Sequence, residues 1–406
     1  MPVACVRLLR AAAEQMKLEL MRYVDVDPPV WQTLGEGQRF AESGQCAETM
    51  VVAYPGQVIH TSPQRELLRA LVLYISSPKT MAADQIEVSY RIAGRLSSFF
   101  DLKALADADC PYRFDLQADM PPQRNGDAGS MTPDTRFFGA VRALPAVEKI
   151  IDQNERDPVW QERRFGSEFT PAGKLTVLKH LHTYWAQEPP QRHNERRGIS
   201  AAIDVTHGFR VVSQLVTRVD LRKVIGQGQE EVAEQERARI ALIADEKIDY
   251  TAETWYVSDA SSDGMGATLN PQRGWLGQDR RPGPLWWVGM VRRLHTDVEG
   301  RVHVGIEILA RKPMAVWLRA LGKGAETASN WETSSGSFQY SYLPVILLPD
   351  AQNSYRHATM LMESGSYVSG NIYQAMMGEQ SRDIRLTSLI AEGEDYEQVG
   401  FEWLPG

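Results

Sequence analysis

Apolar positions in the first hundred residues recur at helical spacing. Leu8, Leu9, Ala12, Met16, Leu20 and Met21 fall three or four apart with Arg10, Glu14 and Lys17 between them, which predicts an amphipathic helix. Ser62-Pro63 reads as an N-cap followed by proline at the first helical position, opening a helix through Leu67, Leu68, Leu71 and Leu73. A further helix is predicted from about Ala83 to Phe100, with Ile86, Val88, Ile92, Leu96 and Phe99 facing inward. Residues 111–135 hold four prolines and two glycines and are expected to be a loop, at which the helical region could divide in two. Helical pattern returns over 136–153 and 171–185.

At Glu188-Pro189-Pro190 the period changes, because two prolines stop a helix and force an extended approach. Strands are predicted at 199–205, 209–219, 254–257, 266–269, 285–294, 302–310 and 315–318, separated by Gly, Pro, Asn or Asp, as in a small barrel. The polar, acid-rich segment 226–249 interrupts them and is expected to be a solvated helix. A Gly/Ser/Thr-rich linker is expected over 322–338. Alternation then resumes at 343–348, 358–362, 371–376, 384–389 and 398–403, with turns at Ser364-Gly365-Ser366 and Glu392-Gly393-Glu394. The expected class is therefore α+β and multidomain: a helical region 1–185, a β-barrel unit 186–325 with a helical insertion, and a small β-rich unit 339–406.

Composition narrows the function. The 406 residues carry 44 Lys and Arg against 52 Asp and Glu, a net charge of −8. An acidic chain is a poor general binder of DNA, RNA or anionic lipid, so any polyanion must be held by a local arginine cluster. Cys5, Cys46 and Cys110 form no C-x-x-C pair, and reduced thiols in a cytoplasmic protein are the simplest reading. The amino terminus has no signal peptide pattern and no stretch reaches membrane-spanning length.

Two short motifs carry candidate chemistry. Arg192-His193-Asn194-Glu195-Arg196 is an R-x-x-x-R directly before the first predicted strand, with Arg197 following. Asp259-Ala260-Ser261-Ser262-Asp263-Gly264 is a D-x-S-x-x-G turn after another strand. Two guanidinium forks match phosphate oxygens or the O6/N7 edge of guanine with paired hydrogen bonds, and they can stack on a purine. The Asp259 carboxylate can accept from guanine N1–H and N2–H₂, the Ser261 hydroxyl can donate to phosphate, and Gly264 allows a tight turn beneath a ligand. Each motif also has a bland reading: a solvated basic turn for the arginines, a self-satisfied Asx or Ser turn for Asp259 and Ser261. His180 and His182, two apart on a helix, do not share a face and are not expected to hold metal. Trp286 and Trp287 would point to opposite faces of a strand, one inward and one outward.

Over about residues 188–325 the chain resembles the PilZ domain family, the bacterial receptors for cyclic di-GMP. The resemblance rests on Arg192 and Arg196, on Asp259, Ser261 and Gly264, and on the later Trp287-Val288-Gly289-Met290-Val291-Arg292 and Val304-Gly305-Ile306-Glu307. It implies a six-stranded antiparallel barrel whose arginines, including Arg197, grip guanine and phosphate while Asp259 and Ser261 complete the cradle. Arg196 and Asp259 stand 63 positions apart (259 − 196), farther than the family usually separates its motifs, and the segment 226–249 accounts for the excess. The expected function is a non-catalytic cyclic di-GMP receptor, with no other cofactor and no metal, that contacts an unidentified protein through its helical region. The alternative is a PilZ-fold adaptor for motility, pili or exopolysaccharide machinery that binds no nucleotide. A hydrolase is a remote third reading, because no G-x-S-x-G elbow, phosphate loop or H-E-x-x-H motif is present.

Overall fold

The computed structural model describes residues 1–406 except 127–130, 157–164, 190–196, 227–251, 262–263, 270–286, 321–341, 350–354, 356–357, 378–379 and 406. The chain divides into two compact units, Met1–Glu195 with Arg292–Val304, and Arg196–Val291 with Gly305–Gly406.

The first unit is built on α1 (Pro2–Met21), α2 (Pro28–Ser43), α3 (Pro63–Ile75), α4 (Ala83–Leu96), α5 (Leu144–Arg156) and α6 (Pro171–Tyr184). Proline sits in the first turn of α1, α2, α3 and α6, where its missing N–H costs nothing. Ser62 Oγ accepts from the Arg65 amide at 3.4 Å, so the N-cap read from Ser62-Pro63 is present. The helices share one core in which Leu9, Met16, Trp31, Leu34, Leu68, Leu71, Ile92 and Trp185 are buried. Within it Glu66, 3% exposed, takes a two-pronged ion pair from Arg10 (2.6 and 3.1 Å) and a hydrogen bond from Thr61 Oγ1 (2.7 Å).

Two expectations for this unit are corrected. Residues 111–135 are not only loop, and the segment from Arg136 does not start as helix. A four-stranded sheet of order β3-β6-β4-β5 occupies the region, with β3 Asp101–Lys103, β4 Tyr112–Asp115, β5 Gln123–Arg124 and β6 Thr135–Gly139. A minor two-stranded ribbon, β1 (Val51–Val52) with β2 (His60–Thr61), precedes it. The apolar run around Phe137 and Phe138 is too short for its period to distinguish strand from helix, and β6 buries both rings between β3 and β4. Phe99 is 46% exposed while Phe100 is buried, because the helix tightens into a single 3₁₀ turn at Ser97–Phe99 and the inward position moves on by one residue.

A five-stranded sheet follows, of order β10-β11-β9-β8-β7: β7 Arg197–Val205, β8 Glu253–Ala260, β9 Gly264–Leu269, β10 Val288–Thr296 and β11 Val302–Ala310. After β11 comes a closed six-stranded antiparallel barrel, β12 (Met314–Ala320), β13 (Tyr342–Leu348), β14 (Thr359–Glu363), β15 (Ile372–Met377), β16 (Gln380–Glu392) and β17 (Tyr396–Trp403), in the order β12-β13-β14-β17-β16-β15. The class is as expected: a helical amino-terminal region, a closed six-stranded barrel and a second β unit. The position of the barrel is corrected. It was expected over 186–325, whereas the described strands there form the five-stranded sheet and closure belongs to 314–403. β12, read as the last strand of the earlier unit, pairs on one side with β13 and on the other with β15, and so closes the later one.

Residues 209–219, expected to be a strand, lie in α7 (Phe209–Gly226). Phe209, Val212 and Val216 recur at helical spacing and pack on Ile346, Leu348 and Leu361 of the barrel. Their β-branched content is what favours a strand on propensity alone, and tertiary packing overrides it. Gly208, at φ +89°, supplies the left-handed turn from β7 into α7, and Asp395 accepts from the Phe209 amide at 2.5 Å to cap the exposed N–H groups. The expected insertion 226–249 lies outside the described residues beyond Gly226, as do the linker 322–338 and Trp286.

Candidate nucleotide-binding site

The motif residues that are described meet at one end of the five-stranded sheet. β7 pairs antiparallel with β8 so that Arg197 lies opposite Ala260 and Gly198 opposite Asp259. β8 pairs in turn with β9, with Asp259 opposite Gly266 and Ala260 opposite Met265. Two register shifts fall here, between Gly198 and Ala201 and between Val257 and Asp259. Bulges of this kind bend a strand and re-aim its side chains. Arg197, Asp259, Ser261 and Gly264 are thereby brought together across three adjacent strands. Arg192 and Arg196 lie outside the described residues.

Arg197 is exposed, and its guanidinium has donors to offer a phosphate or a carbonyl. The Asp259 carboxylate accepts from Ser258 Oγ at 3.3 Å. Ser261 closes the β8–β9 turn from its backbone amide, 2.7 Å from the Gly264 carbonyl, and its hydroxyl donates to the same carbonyl at 3.3 Å. The hydroxyl must therefore rotate away from Gly264 before it can donate to a phosphate. Gly264 is buried at the start of β9.

A second feature of the sheet had no sequence signal. A cavity of about 420 Å³ lies toward the far end of β7 and β8, lined by Val205, His207, Val216, Trp255, Trp287 and Ile306 among others. Its lining runs from Val205 and His207 at the far end of β7 to Met265, which pairs with Ala260 beside the second motif. At its rim Glu253 accepts from Trp255 Nε1 at 3.0 Å and faces His207 Nε2 at 3.5 Å. The Trp255 hydrogen bond holds the Glu253 carboxyl below the usual carboxylate range, with His207 adding to it against the opposing effect of burial. Nothing in the spacing of Glu253, His207 and Trp255 along the chain announces this contact. Trp287 is 45% exposed and carries the Arg311 guanidinium over its ring at 4.3 Å.

His180 and His182 go to different partners, the Ser76 carbonyl and Glu148, as their spacing predicts. Among the described residues no group of three or more His, Cys, Asp or Glu could hold a metal ion, and no helix is long and apolar enough to cross a membrane.

Residues 1–107 match a protein-family model described as "Cyclic-di-GMP receptor FimW, N-terminal domain". Residues 333–404 match a second, described as "FimW C-terminal beta-barrel domain". Both ends match one receptor family. The FimW amino-terminal match covers α1 to α4, and the FimW carboxy-terminal match covers β13 to β17 of the closed barrel. Neither FimW match includes residues 108–332, which carry both motifs. No curated protein and no solved structure matches the chain. The FimW description names a receptor for the same nucleotide that Arg192, Arg196, Asp259 and Ser261 led us to expect.

Proposed function

We propose that this protein is a cyclic di-GMP receptor whose ligand is held where β7 begins, by Arg192, Arg196 and Arg197 from one side and Asp259 and Ser261 from the other, with Gly264 forming the turn beneath. The observation that carries this reading is the register: Arg197, directly after the R-x-x-x-R motif, lies opposite Ala260, between Asp259 and Ser261 of the second motif. The FimW matches at both ends support the same ligand. In this reading residues about 188–325 supply a PilZ-like sensor between the two FimW-type ends. Guanidinium forks would pair with guanine and phosphate, and the Asp259 carboxylate would accept from the guanine N1–H edge. No bond is made or broken. Binding energy is spent on changing which protein surface is offered to a partner, and the helical unit is the proposed contact surface. The protein would act in the cytoplasm.

Calorimetric titration of the full chain with cyclic di-GMP tests the reading. Saturable binding is expected, weakened by about tenfold or more in each of Arg192→Ala, Arg196→Ala and Asp259→Ala, a loss of at least about 1.4 kcal/mol. One observation favours a second reading. The Ser261 hydroxyl already donates to Gly264, as in a turn that satisfies itself. An adaptor with a PilZ-like sheet but no nucleotide site would give no heat at any ligand concentration, and that result would replace the receptor.

A further inference from the structure

Cys5 and Cys46 are distant in sequence and adjacent in space. Cys5 lies in the first turn of α1, and Cys46 follows the end of α2. The two, 3% and 6% exposed, form one small buried cluster with Ala41, and Ala47 packs against it. Both are free cysteines, gathered in that one cluster.

The local backbone explains the meeting. α2 ends in a Schellman turn: the Cys46 amide donates to the Ala41 carbonyl at 2.8 Å and the Gln45 amide to the Glu42 carbonyl at 2.9 Å, with Gln45 left-handed at φ +53°. That left-handed residue folds the chain back, so that Cys46 lands on Ala41 and faces the start of α1. The Met1 thioether, the end of a flexible and exposed side chain, lies beside Gly44. The amino-terminal turn of α1 and the exit of α2 thus meet at the cysteine cluster.

We propose that Cys5 and Cys46 are a redox-active pair that closes reversibly to an intramolecular disulfide and locks the start of α1 to the end of α2. The co-reactant is a low-molecular-weight disulfide. One cysteine, as thiolate, attacks it and releases one thiol equivalent. The second cysteine then attacks the mixed disulfide and releases the other. Two cysteine thiols are oxidised, one external disulfide is reduced to two thiols, and the two protons given up by the cysteines are taken up by the two departing thiolates. Burial, with the neighbouring Cys46 adding to it, holds the Cys5 thiol above its usual range, so closure should be slow at neutral pH and faster as pH rises. Cys110 is the internal control. It is fully buried in a separate part of the unit, and burial pushes its thiol up to about 11.

The test uses the full chain carrying Cys110→Ser, incubated with mixtures of oxidised and reduced glutathione, then alkylated and read by intact mass and peptide mapping. The expected product is lighter by two hydrogens, joins the Cys5 and Cys46 peptides, reverts with dithiothreitol, and forms faster at higher pH. Cys5→Ala and Cys46→Ala, small replacements in a buried site, are checked for fold by circular dichroism and should give no such product. Glutathione adducts that persist without closure would overturn the proposal. So would an unreacted native protein at the most oxidising ratio, when the urea-unfolded chain does close.

Discussion

A single residue in the wrong half of backbone space sets the geometry around the two cysteines. Gln45 adopts the left-handed conformation that costs a residue with a Cβ roughly 1–2 kcal/mol, and the position is one where glycine is usually found. Gln45→Gly is therefore expected to raise stability by up to about 1 kcal/mol in urea unfolding. A decrease would mean that the glutamine side chain contributes more than its strain removes. Much at this scale was legible beforehand. Ser62 caps α3, and Leu9, Met16 and Leu20 face the core, because each follows from a local rule of spacing or capping. Leu8, in contrast, is 47% exposed, and Phe99 gives its place to Phe100. Both misreadings occur where periodicity fixes a face to within one residue and only tertiary contact chooses.

The turn after β14 in the closed barrel depends on one carboxylate. Glu397 on β17 is 6% exposed and accepts from three successive amides beyond β14: Gly365 at 2.9 Å, Ser366 at 3.1 Å and Tyr367 at 2.7 Å. Three donors converging on a buried charge form a charge-assisted nest. Glu397→Gln turns an acceptor into an amide that opposes at least one of those donors, and should cost about 2–3 kcal/mol in unfolding free energy. An unchanged denaturation midpoint would show that water serves the turn equally well. Strands were the most legible elements: β11 runs over the residues its alternation marks out, and β13 to β17 all fall where alternation resumes. α7 was not legible, because Val211, Val212 and Val216 fit either period and only the barrel surface decides. The site divides in the same way. The neighbourhood of Arg197 and Asp259 followed from two motifs with a shared chemistry, whereas Glu253, His207 and Trp255 come together through the path of β7 and α7, which no spacing records.

For the whole molecule, acid should loosen the helical unit in two stages. Burial pushes the His180 imidazole down, against the opposing hydrogen bond to the Ser76 carbonyl. A histidine whose folded value lies below its unfolded one contributes stability that is complete above about pH 6.5 and declines as pH falls below it. Burial would raise the Glu87 carboxyl, but hydrogen bonds from Lys17 and Arg91 outweigh it and hold the group below the usual carboxylate range. Its contribution is complete above about pH 4.5 and is lost on further acidification. Urea midpoints taken from pH 7.5 downward should fall first through the histidine range and again in the carboxylate range. The first decline should flatten in His180→Gln, and a slope unchanged by that substitution would assign it to another group.

The three residues between Ala310 and Met314 are all that separates the sheet bearing Arg197 and Asp259 from the first stave of the barrel, and α7 lies against staves β12, β13 and β14. Anyone trimming the polypeptide near position 325 to isolate a minimal sensor would strand β12 without either neighbour and wet the greasy side of α7. Such a fragment should clump in the tube, and its silence toward a nucleotide would say nothing about the intact protein.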